Sequence, residues 1–209
     1  MRNVGAVILA AGGSSRLGRP KQLLSLQGES LLRRAVRAAI EAGCACVTVV
    51  AGDARDSIES ELRGTPAVVV ENLEWQRGLG ASIRCGLRHL LSSRPEIDAV
   101  VLLACDQPFL DAAVITSLIA QQANSGRPMV ASSYAGTLGI PALFDRSCFE
   151  ALLALPDDSG AKGLIESRPA EVAQIEFEKG AVDIDTPDDF AGLTNADTDS
   201  PLHRRRATP

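Results

Sequence analysis

Four short runs rich in Val, Ile, Leu and Ala, at residues 4–10, 45–51, 67–71 and 98–105, alternate with segments of helical period. Successive strands joined by helices lie parallel, with right-handed crossovers. The expected class is therefore α/β, a doubly wound, mostly parallel sheet in a three-layer α/β/α arrangement. The first crossover, "LLRRAVRAAIEAG", places Leu31, Leu32, Ala35, Val36, Ala39 and Ile40 on one stripe, with Ser30 as N-cap and Gly43 as the stop. "DARDSIESELRG", "GASIRCGLRHLL" and "DAAVITSLIAQQANSG" supply three more helices. Beyond them, "MVASSY", "TLGIPALF" and "EVAQIEF" read as strands, and "FEALLAL" and "AKGLIES" as short helices.

The chain of 209 residues suits one sizeable domain. We expect that domain to span 1–194, with a nucleotide-binding half at 1–110 and an acceptor-binding half at 111–194. The polar stretch 195–209, ending "HRRRATP", reads as a disordered tail. Aromatic residues are only 3% of the sequence, so the core must be aliphatic. A net charge of −5 argues against a nucleic-acid surface. No apolar run approaches the roughly 18 residues of a membrane span, and no signal-peptide pattern opens the chain. The expected location is cytoplasmic, with no membrane partner. Five cysteines occur without a C-x-x-C pair and read as small buried or half-buried hydrophobes.

The first strand runs into "AAGGSSRLGRPK", from Ala10 and Ala11 through Gly12, Gly13, Ser14, Ser15 and Arg16 to Lys21. In open α/β sheets ligands bind beyond the carboxyl ends of strands. Gly12 and Gly13 allow successive backbone N–H groups to converge on an anion, and Arg16 and Lys21 add charge suited to a polyphosphate. The spacing is not that of a P-loop, because Gly18 is followed by Arg19-Pro20, and no G-x-G-x-x-G occurs. The competing reading is a solvated connecting loop.

Asp106 follows the fourth strand in "LLACDQPF". If the strand order is 3-2-1-4, Asp106 lies beside the glycine loop and, next to phosphates, reads as a magnesium ligand; the competing reading of an aspartate that ends a strand is a turn or helix-cap residue. "VDIDTPDDF" supplies a second acidic centre at Asp183 and Asp185. Asp185 is the candidate second ligand, whereas Asp188 and Asp189 suit the start of a helix.

Six motifs, "LAAGGSSRLGRPKQLL", "NLEWQRGLGASIRCGL", "LLACDQPFL", "GIPALF", "DDSGAKGLI" and "DIDTPDDF", resemble the molybdenum cofactor cytidylyltransferases, nucleotidyltransferases of the sugar-nucleotide pyrophosphorylase type. The resemblance runs over residues 4–193. It implies transfer of CMP from CTP to the terminal phosphate of molybdenum-loaded molybdopterin, with release of pyrophosphate. It implies that the loop from Ala10 to Arg16, with Lys21, wraps the triphosphate, and that Gln76, Gly80 and Ser82 lie along base and ribose. Asp106 and Asp185 would hold Mg2+, for which Mn2+ can substitute. Gly139 and Lys162 would face the acceptor, and the product would pass through transient contact with a molybdoenzyme or its chaperone. Ala10-Ala11-Gly12 matches the cytidylyl form of the loop, where guanylyltransferases tend to have Leu-Ala-Gly-Gly. Leu17 stands in place of the usual methionine, and Lys162 where arginine is common. The loop also resembles the methylerythritol-phosphate cytidylyltransferase, which fits "GLGASIRCGL" and "ACDQP" poorly. Asp183-Ile184-Asp185 alone suits a D-x-D glycosyltransferase, and loss of catalysis would leave a nucleotide-binding regulator.

Overall fold

In a computed structural model, which describes residues 2–12 and 20–184, seven strands form one sheet. They are β1 (Val4–Ala10), β2 (Cys46–Ala51), β3 (Val68–Glu71), β4 (Ala99–Ala104), β5 (Met129–Tyr134), β6 (Thr137–Asp145) and β7 (Val172–Glu176). Their order across the sheet is β3-β2-β1-β4-β6-β5-β7. The 3-2-1-4 order expected from the sequence is thus present. Only β6 runs antiparallel to its neighbours, β4 and β5.

Side chains alternate along each buried strand, so the sheet has two apolar faces. Ile8, Val49 and Val101 face one layer, made by α1 (Leu31–Glu41), α2 (Arg55–Glu61) and α4 (Ala112–Ser125). Val7, Val50 and Leu102 face the other, made by α3 (Leu79–Ser93), α5 (Phe149–Leu153) and α6 (Ala161–Ser167).

The helix ends follow the expected chemistry. Ser30 Oγ accepts from Arg33 N at 3.1 Å, and Gly43 takes a φ of +81° just after α1. One residue departs from the expected stripe. Ile40, in the last turn of α1, is 39% exposed, and Ala38 is buried in its place. All five cysteines are free thiols, buried or half-buried. Among the described residues no helix is long and apolar enough to cross a membrane. The expected tail at 195–209 and the helix start at Asp188 and Asp189 lie outside the described residues.

Candidate nucleotide-binding and catalytic site

β1 and β4 are adjacent and parallel, with Leu9 opposite Ala104, so their carboxyl ends leave the sheet at one level. The segment after β1 is held by Gln22, which is 2% exposed. Its Nε2 donates to Ala10 O at 2.5 Å and to Gly12 O at 3.3 Å. A buried amide must satisfy its polar atoms, and here it does so by holding the backbone at Ala10 and Gly12. Gly13, Ser14, Ser15 and Arg16 lie outside the described residues, as does Asp185.

Lys21 opens a short 3-10 turn, Lys21–Leu23, and its Nζ lies 2.5 Å from Asp106 Oδ2. The two side chains are only 15% and 20% exposed, so their attraction is screened less than on an open surface. The carbonyl of Asp106 accepts from Ile184 N at 3.2 Å, which brings Asp183 to the same place. Ala11, Gly12, Lys21, Ser82, Asp106 and Asp183 line one cavity of about 340 Å³. Ser82 is buried in α3 and accepts from Asn72 Nδ2 at 3.0 Å.

The far wall is built from the second half of the chain. Gln107 Nε2 donates to Ile140 O at 3.2 Å and Gly180 O at 3.0 Å, while the Tyr134 hydroxyl donates to Ile140 O at 2.9 Å. A Cβ at Gly139 would collide with the Tyr134 hydroxyl, so the glycine makes room for the ring. Burial, aided by the nearby Asp183 carboxylate, pushes the Tyr134 phenol up, and it stays a neutral donor.

Other residues singled out in the sequence sit elsewhere. Gly80 faces the Pro156–Ser159 segment, where a side chain would strike Pro156 O. Gln76 is exposed on the turn before α3, outside the cavity lining. Lys162 is exposed on α6 and pairs with Glu166 at 3.7 Å. Gln22 and Gln107 stand inside two of the six motifs but have no role of their own in the sequence reading, and Tyr134 lies outside all six. Tyr134 is the single tyrosine in the chain, and Gln22 is a lone amide between Lys21 and two leucines.

A cavity at the carboxyl ends of β1 and β4, with a cation and two acids, suits a phosphate-bearing ligand. The sequence profile of the MobA-like NTP transferase domain matches residues 6–172. The chain belongs to that family. It is a nucleotidyltransferase domain, in agreement with the resemblance read from the six motifs.

The purine catabolism protein PucB of Bacillus subtilis (strain 168) is 29% identical over 194 residues, covering 88% of this chain and 92% of that one. The nicotine blue oxidoreductase of Paenarthrobacter nicotinovorans is 29% identical over 196 residues, with shares of 88% and 92%. The crystal structure of Rv0371c from Mycobacterium tuberculosis H37Rv aligns with a TM-score of 0.78 and 32% identity, over 93% of this chain and 98% of that chain. A manganese complex of Rv0371c aligns with a TM-score of 0.74 and 28% identity, over 93% and 99%.

Proposed function

We propose that the protein transfers CMP from CTP to the terminal phosphate of molybdenum-loaded molybdopterin and releases pyrophosphate. The observation that carries the reading is the Lys21–Asp106 pair at the mouth of β1 and β4, beside a loop that begins Ala10-Ala11-Gly12. Residues 1–110 would form the nucleotide half and 111–194 the acceptor half.

The acceptor phosphate is a monoester, largely ionised at neutral pH, so no general base is needed to create the nucleophile. The obstacle is the approach of one anion to another, and charge neutralisation with in-line positioning lowers it. Lys21 and Arg16 supply fixed positive charge for the triphosphate and the departing pyrophosphate.

Among the described residues no cluster of three His, Cys, Asp or Glu side chains could hold a metal. The cavity does offer two carboxylates, Asp106 and Asp183. Magnesium commonly takes one or two protein carboxylates and completes its shell with water and phosphate oxygens, so this donor set fits it. Asp106 and Asp183 would offer the ion its carboxylates in the cavity, with Asp185 the second ligand expected from the sequence, and manganese, the ion in the Rv0371c complex, would substitute. When bound, such an ion supplies Lewis-acid stabilisation of phosphate charge. Ser82, Leu79 and the Ala11 wall would contact the nucleoside, and Tyr134 and Gln107 would border the acceptor.

Incubation with magnesium, purified cofactor and CTP, GTP or ATP in turn tests this by mass spectrometry. The expected product is the cytosine dinucleotide form of the cofactor. A guanine product would overturn the donor assignment. In a parallel incubation with methylerythritol phosphate in place of the cofactor, its cytidylylation, with no pterin product in the first reaction, would overturn the acceptor assignment.

A further inference from the structure

The "DDSGAKGLI" motif lies in the half of the chain read as acceptor-binding, yet its first residues press on the other side of the cavity. Helix α3 has no side-chain cap at its N-terminus. One of its otherwise unpaired N–H groups, that of Gly80, donates at 2.9 Å to the carbonyl of Asp157, far away in sequence. The contact needs glycine on the helix side. Gly78 has a φ of +128°, and a Cβ there would lie 2.5 Å from Asp157 O. At Gly80 a Cβ would strike Pro156 O.

Side chains reinforce the contact. Arg84, two turns into α3 at the level of this loop, donates to Leu155 O and to Asp157 Oδ1. Arg77, on the turn before α3, pairs with Asp157 Oδ2. One carboxylate therefore bridges two arginines that flank the first turn of the helix. Arg84, the larger influence, holds the Asp157 carboxyl below the usual range. At Gly160 the missing side chain leaves space for Leu79, whose Cδ2 would lie 2.9 Å from a Cβ. Leu79 and Ser82, on this clamped turn, both line the cavity that holds Lys21 and Asp106.

We infer that Asp157 is a positioning residue for the nucleotide. Through its carbonyl and its two arginine contacts it fixes the first turn of α3, and with it Leu79 and Ser82, against the bound nucleoside. This rests on the reading of the cavity as the CTP site. It gives the motif a role in donor binding instead of acceptor contact.

The chain has one tryptophan, Trp75, on the turn that leads into α3. It packs where a Cβ on Gly52 would lie 2.8 Å from its Cγ, beside Ala11 O. Its fluorescence therefore reports on this corner during titration with magnesium–CTP. In Asp157→Asn and Arg84→Lys we expect the Kd and KM for CTP to rise about tenfold, with kcat within about threefold of wild type. A blue or red shift of Trp75 emission in the free variants would mark the loosened turn. Circular dichroism melts identify folded protein, and Arg84→Lys retains the charge should Asp157→Asn fold poorly. Unchanged Kd and KM in a folded variant, or a fall in kcat alone, would overturn the inference while leaving the CTP site intact. Failure of the wild-type protein to bind or turn over CTP would overturn the site reading, and the inference with it.

Discussion

Lys21 and Asp106, 85 positions apart in sequence, meet at 2.5 Å where β1 and β4 leave the sheet. Asp106 follows β4, and the Gln22 amide ties the Lys21–Leu23 turn back to Ala10 at the end of the neighbouring β1, so topology and this one hydrogen bond together make the pair. Its acid is the more exposed to a direct test. Asp106→Asn keeps the shape and removes the charge, and we predict a fall in pyrophosphate release of about 10²-fold or more, as for loss of a positioned transition-state group. Asp185→Ala should behave alike, and in both the magnesium dependence should change. Near-normal turnover with an unchanged circular dichroism spectrum would remove either acid from the catalytic site.

Lys21→Ala removes a cation whose side chain is only 15% exposed in the cavity. The expected loss is again about 10²-fold in kcat/KM for the nucleotide. Arg16→Ala, outside the described residues, is predicted from the sequence to cost a comparable factor. Steady-state kinetics with CTP decide both, and wild-type values in the two variants would reduce the loop to a connector.

The sheet was legible because strand and helix signals are local. Runs of Val and Leu at 4–10 and 99–104, the Ser30 cap and the Gly43 stop each announce themselves within a few residues. The carboxyl-end rule then located the glycine loop and Asp106. What escaped is long-range. Gln22 reads as an ordinary polar residue until its amide is found folded back on Ala10 O. Gly80 and Gly139 read in the sequence as ligand contacts, and the structure gives each a close neighbour, Pro156 O and Tyr134, that no spacing rule reveals. Asp157 and Arg84, 73 positions apart, show nothing in sequence of their pairing.

Gly86 offers a test of packing without chemistry. A Cβ there would lie 2.5 Å from Val7 Cγ1 and 2.7 Å from Val50 Cγ2, both on buried strands. Overpacking of this kind costs about 1–3 kcal/mol, against a gain of about 1 kcal/mol in helix propensity. Gly86→Ala should therefore lower the urea midpoint with an unchanged m-value. A midpoint at or above wild type would mean that α3 shifts freely on the sheet.

Burial pushes the Cys44 thiol up to about 12, with the neighbouring Cys46 a smaller influence. A thiol whose pKa is raised on folding binds its proton more tightly in the folded state. Its contribution is complete below the unfolded value of about 8.5 and is lost as pH rises from there through about 12. Urea midpoints should fall between pH 8 and pH 10.5, and fall less steeply in Cys44→Ala. Identical pH slopes in the two proteins would exclude Cys44 as a contributor.

The remaining prediction concerns the base. Ala11 is 7% exposed and lies in the cavity wall, one residue past β1, between the loop backbone and the face of the sheet packed by α3. Its methyl group takes space that a glycine would leave open; if the base of the proposed nucleotide rests against this wall, a pyrimidine needs less of that space than a purine. Discrimination by one methyl-sized contact amounts to about 1–3 kcal/mol, or roughly 10- to 200-fold in kcat/KM. Ala11→Gly should therefore narrow the ratio of kcat/KM for CTP over GTP by at least about tenfold, chiefly by improving GTP. Competition between the two nucleotides in one reaction, with the products separated by mass, measures that ratio directly. If the ratio is unchanged while both substrates are used, the wall at Ala11 does not read the base.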